Sequence, residues 1–100
     1  MLKFFRKRPI VIQAILTSDV IEATTQGNWL ALPDWIKLAY EAGNLIIGNH
    51  HVDILTLEGI MVAQPDDYII RGIKGELYPC KPNILALSYD EVKGETPPRT

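Results

Sequence analysis

One hundred residues, 47% apolar and 22% charged with a formal net charge of -2, read as one soluble globular domain of ordinary composition. That excludes a two-domain enzyme, a long repeat array and a disordered tail. A chain this short buries about 60–65% of the surface it exposes when unfolded, enough for one core but little room for a deep internal active site.

No run approaches the ~20 consecutive apolar residues of a membrane span. The opening bases Lys3, Arg6, Lys7 and Arg8 are not followed by an uninterrupted apolar region, because Pro9 and Gln13 intervene. The expected setting is therefore cytoplasmic. Cys80 is the only cysteine, so no intrachain disulfide is available, and a lone thiol suits a reducing compartment. Four of the ten bases lie in the first eight residues, and the remaining 92 residues carry six bases and all twelve acids. A basic arm is thus attached to an acidic body of charge near -6. Such a body disfavours duplex DNA, whose binding is driven by phosphate neutralisation.

Residues 9–17, PIVIQAILT, predict a strand. Of its two faces, Ile10, Ile12, Ala14 and Leu16 carry no polar member and are expected to face the core. Asp19 as N-cap with Glu22 three residues later predicts a short helix from Val20 to Gln26, stopped by Gly27. Residues 33–43, PDWIKLAYEAG, predict a second helix. Pro33 suits its first turn, Trp35, Leu38, Ala39 and Ala42 form one apolar stripe, and Gly43 ends it. From Asn44 the period becomes two. Residues 44–47 predict a strand, and 52–57 and 60–63 predict a hairpin turning at Glu58-Gly59. Pro65-Asp66-Asp67 predicts a turn and Tyr68–Arg71 a strand. Gly72-Ile73-Lys74-Gly75 predicts a turn with both glycines suited to positive φ. Residues 76–78 predict a return strand that Pro79 confines to an edge or ends. One or two helical turns capped by Asn83 follow, and residues from Gly94 onward read as a frayed tail. The fold class is α+β: an antiparallel meandering sheet of four to six strands with two or three short helices packed on it, in a single domain over residues 1–93.

Motifs for catalysis are absent. His50 and His51 alternate faces in a strand and lack further ligands at zinc spacing, so no metal is expected. Cys80 has no helix N-terminus or neighbouring base to activate it. Asp66 and Asp67 read as turn chemistry. No cofactor motif is present, and the chain reads as a non-enzyme. The strongest binding signal is the group Arg71, Lys74, Tyr78 and Lys81, where cations and an aromatic ring lie close along the chain and two glycines offer backbone N–H groups to a phosphate. Convergence of these side chains on one cavity would fit a small anionic ligand such as a nucleotide, in a pocket built at a homo-oligomer interface. Trp35 belongs to the core stripe, whereas Trp29, in a connection, is a candidate interface residue.

The segment from Leu57 to Pro82, above all DDYIIRGIKGELYPCKP, resembles a widespread family of small tailed-bacteriophage and prophage proteins of unknown function whose members carry a segment like GDWIIRGVKGEFYPCKPDIF. The opening RKRPIVIQA at Arg6–Ala14 is similar to the family's RKKPVVIEA, and Thr17-Ser18-Asp19 to its TGDN helix start. The likeness spans roughly residues 4–90. Asp66 stands where glycine is usual, so the turn there is expected to avoid positive φ. The resemblance implies a viral accessory protein in a host bacterial cytoplasm and supplies no catalytic residues. It favours action by binding: sequestering a nucleotide signal of anti-phage defence, or inhibiting a host factor as a protein ligand.

Overall fold

The computed structural model describes residues 1–6 and 8–92. In chain order the elements are β1 (Gln13–Leu16), α1 (Thr17–Thr25), a 3-10 turn (Trp29–Ala31), α2 (Asp34–Glu41), β2 (Leu45–Ile47), β3 (Val52–Thr56), β4 (Gly59–Ala63), β5 (Tyr68–Arg71), β6 (Leu77–Cys80) and α3 (Pro82–Ser88). The class is α+β. The six strands form two antiparallel three-stranded sheets, ordered β1-β5-β6 and β2-β3-β4, rather than one meander. The division falls at the Pro65-containing turn. There the chain leaves β4 and enters β5, whose other neighbour is the distant β1.

The first strand is shorter than its β-branched run. β5 ends at Arg71, opposite Gln13, so residues 9–12 have no strand to pair with. Its core face is also the reverse of the expected one. Ile15 lies opposite Ile69, which is fully buried, and packs on the core, while Ala14 is exposed. Register with the partner strand decides the face, and a run apolar on both sides does not reveal it.

The helix α1 begins three residues before the predicted start, and the capping box does not form. Its first N–H groups are satisfied from outside: Thr17 N donates to Asp67 O (2.9 Å) and Ser18 N to Pro65 O (3.0 Å). Both helix stops are Gly-Asn pairs of the same design. Gly27 (φ 75°) and Gly43 (φ 80°) sit just past the last turn. Asn28 N then donates to Ala23 O and Asn44 N to Ala39 O, each 2.8 Å, which closes a Schellman motif. The α2 core contact is rotated from the predicted stripe. Leu32 and Ile36 are buried, Trp35 and Ala39 pack partly against them, and Leu38 is 63% exposed.

The hairpin of β3 and β4 pairs Thr56 with Gly59, so its loop is Leu57-Glu58, one residue earlier than predicted, with Gly59 taking the positive φ. Thr56 Oγ1 donates to Gly59 O (2.7 Å) and accepts from Glu58 N (3.1 Å). β5 has the predicted bounds, and Pro79 lies in the edge strand β6 as expected. α3 starts with Pro82 at its first turn, and Asn83 does not cap it. No non-glycine residue among those described has positive φ, so Asp66 conforms to its expected conformation. The core joins Val20 of α1 and Ile36 of α2 to Leu45, Val52, Ile54 and Ala63 of one sheet and Ile69 of the other. Lys7 of the arm and the tail expected at 94–100 lie outside the described residues.

Candidate functional site: an apolar cleft with one cation

Where α2, the tip of the β3–β4 hairpin and β6 approach one another, they leave an open cleft of about 930 Å³. Trp35, Leu38, Ala39 and Ala42 of the α2 region form one wall. The predicted stripe is therefore real, but it faces a cleft as much as the core. Leu55, Leu57 and Met61 line the hairpin side, and Leu77 and Pro79 the β6 side. Leu57 and Leu38 are well exposed, at 107% and 63%. The polar margin includes Arg71, Glu58 and Glu76. Arg71 is the single base of the lining and makes no ion pair among the described residues.

The four predicted ligand residues do not converge. Arg71 lines the cleft, its guanidinium above Gly75. Tyr78 borders the cleft along its strand, but strand alternation turns its ring to the reverse face, that of Ile70. There its hydroxyl interacts with Tyr89, and burial, followed by that neighbour, raises its pKa. Lys74 sits exposed at the tip of the β5–β6 turn and is not part of the lining. Lys81 is engaged elsewhere: its Nζ lies 2.7 Å from Oδ1 of the buried Asp67, which raises the Lys81 pKa.

The glycine turn, read as a phosphate cradle, is filled by the chain itself. Gly75 takes positive φ (82°) and Gly72 does not. Gly72 N donates to Glu76 O (2.8 Å), Gly75 N to Gly72 O (3.0 Å) and Lys74 N to Glu76 Oε2 (3.1 Å). The Glu76 carboxylate occupies the position an anionic ligand would take. It lies so close over Gly72 that a Cβ there would collide with it. Gly72 is required for this approach, not for its φ.

The remaining candidates take structural places. Trp29 is half-buried against the core and meets Tyr40 edge to face, with ring centroids 5.0 Å apart at 68°. Cys80 is half-buried, and burial, then Asp67, raises its thiol pKa. His51 Nε2 lies 3.5 Å from Asp53 Oδ1, and among the described residues no three His, Cys, Asp or Glu side chains cluster as metal ligands. No helix among them is long and apolar enough to cross a membrane.

Arg71 is one of the four residues singled out from the sequence, but the cleft it lines is not legible there, because its walls come from residues 35–79 and only the tertiary fold assembles them. The signal that was present is the surplus of apolar residues at Leu38, Leu55 and Leu57. Comparison with family models, curated proteins and solved structures finds no match to this chain.

Proposed function

We propose that this chain is a non-enzymatic bacteriophage accessory protein that inhibits a host factor by binding it. In this reading the cleft takes an apolar segment of the partner protein, with a carboxylate of that segment set against Arg71. The phage setting and the host cytoplasm rest on the resemblance of residues 57–82. The mode of action rests on one observation: a cleft with largely apolar walls whose margin holds a single base, Arg71, beside Glu58 and Glu76 and without an ion pair among the described residues. An apolar peptide removes water from the walls, and a guanidinium binds a carboxylate in bidentate fashion. A nucleotide suits the same place poorly. The N–H groups of Gly72 and Lys74 are engaged by Glu76, and the side chains of Tyr78 and Lys81 by Tyr89 and Asp67, so the donors a phosphate needs are taken.

The probe 8-anilinonaphthalene-1-sulfonate has the required chemistry, an apolar body with one anion. Its fluorescence is expected to rise on the native protein and to fall several-fold on Arg71→Ala and on Leu38→Asp. Equal signals from all three proteins would refute the cleft as the binding surface. Thermal shift with linear and cyclic nucleotides tests the competing ligand class. No rise in midpoint at large excess is expected, and a clear rise would restore the nucleotide reading.

A further inference from the structure

Residues 4–6 and 8–10 of the apolar, basic opening segment are exposed, and Val11 and Ile12 are half-buried. Phe4 and Phe5 are each 89% exposed. Residues 9–12 have the composition of a strand yet overhang β1, because β5 stops opposite Gln13. β1 is itself an edge strand, and its outward backbone groups have no partner among the described residues. A β-prone overhang continuous with an open strand edge is a template for pairing.

We propose that two copies of the chain pair antiparallel along β1, about a two-fold axis at Ile12, joining their sheets into one of order β6-β5-β1-β1-β5-β6. The register follows from side-chain parity. Continuous faces require residues of equal parity to lie opposite one another. Centring on Ile12 places Ile10 beside Ala14 of the second copy and Val11 beside its Gln13, so each overhang completes the other copy's edge. Centring on Gln13 would instead place two amides face to face.

That register carries the arm past the start of α1 in the second copy, with Arg8 level with Leu16 and Arg6 level with Ser18. Ser18 N is bonded to Pro65 O, which holds the Pro65-Asp66-Asp67 turn beside the helix start. The basic arm therefore meets Asp19 and Asp66, which supplies the charge complementarity between a +4 arm and an acidic body. Successive side chains of an extended arm alternate faces, so one ring of the Phe4-Phe5 pair arrives at a hollow of about 280 Å³ bounded by Ser18, Ile21, Glu22 and Pro65. One phenyl ring from each arm contributes about 300 Å² of buried surface in total, which adds to the paired strands toward the ~1,000 Å² that a specific interface needs. This pairing uses none of the cleft residues and stands independently of the proposed function.

Sedimentation of the full chain at micromolar concentration is expected to show a dimer that weakens as salt rises. Ile12→Pro removes an N–H outside the intramolecular strand and is expected to give a monomer with unchanged far-ultraviolet circular dichroism. In a Cys80→Ala background, Ile12→Cys faces its own symmetry mate and is expected to form an inter-copy disulfide, whereas Ile15→Cys, turned to the core, does not. A monomeric native chain, a dimer that survives Ile12→Pro, or a dimer in which Ile12→Cys fails to cross-link would each overturn the proposal.

Discussion

The Lys81 ammonium lies 2.7 Å from a carboxylate oxygen of Asp67, which is only 3% exposed. The other oxygen of Asp67 accepts from Gln64 N (2.8 Å), and its carbonyl accepts from Thr17 N (2.9 Å). One residue thus ties the turn before β5 to the start of α1 and to the end of β6. Asp67→Ala is expected to cost about 2 kcal/mol, roughly 10 °C in Tm for a domain of this size. Thermal unfolding by circular dichroism measures it, and a change below 2 °C would contradict this role.

The groups with raised pKa values set the alkaline limit of stability. Cys80, Tyr78 and Lys81 all hold their protons more tightly when folded, with burial as the leading cause for the first two and the Asp67 hydrogen bond for Lys81. Their contributions are complete below the unfolded values and are lost as pH rises through the folded ones. Tm is therefore expected to fall from pH 9.0 upward, the ordinary value of the thiol, and further from pH 10.0, that of the tyrosine, with the exposed Lys81 adding little. Cys80→Ala should delay the onset of the decline. A flat Tm across this range would contradict the assignment.

Glu76 and Gly72 form a coupled pair in the β5–β6 turn. Gly72→Ala is expected to expel the exposed Glu76 carboxylate and return the Lys74 N–H to water, costing about 0.5–1 kcal/mol. In the double variant with Glu76→Ala the two costs should fall short of their sum, since the collision has been removed. Additive costs in a denaturant-unfolding cycle would show that the two residues do not interact.

Gly43 needs its backbone conformation and nothing else, because no atom lies within 4 Å of a Cβ placed there. Gly43→Ala is expected to cost about 1 kcal/mol, and Gly43→Asn less, since asparagine tolerates the left-handed region. Equal losses for the two variants would argue against strain as the cause.

Local signals carried much of this fold. Gly27 and Gly43 marked the ends of α1 and α2, the turns at Pro65-Asp66-Asp67 and Gly72–Gly75 bounded β5, and Pro79 marked an edge. What could not be read locally depends on partners. β1 begins where β5 ends, and its inner face is chosen by pairing Ile15 with Ile69. Leu38 and Ala42 belong to an apolar stripe whether that stripe meets a core or a cleft. The expected ligand group failed as a group for the same reason. Closeness along the chain put Tyr78 and Lys81 near Arg71, but strand alternation and the Asp67 ion pair separate their side chains.

The central claim is that the cleft bearing Arg71 captures a host protein. Quantitative affinity capture from bacterial lysate, comparing the native chain with Arg71→Glu and Leu38→Asp, tests it most directly. Both substitutions lie at solvent-accessible positions and should leave Tm within a few degrees of the native value. The native chain is expected to retain a specific protein at stoichiometric yield, and both variants to lose it by tenfold or more. Retention of the same protein by all three, or of none by the native chain, would contradict the account.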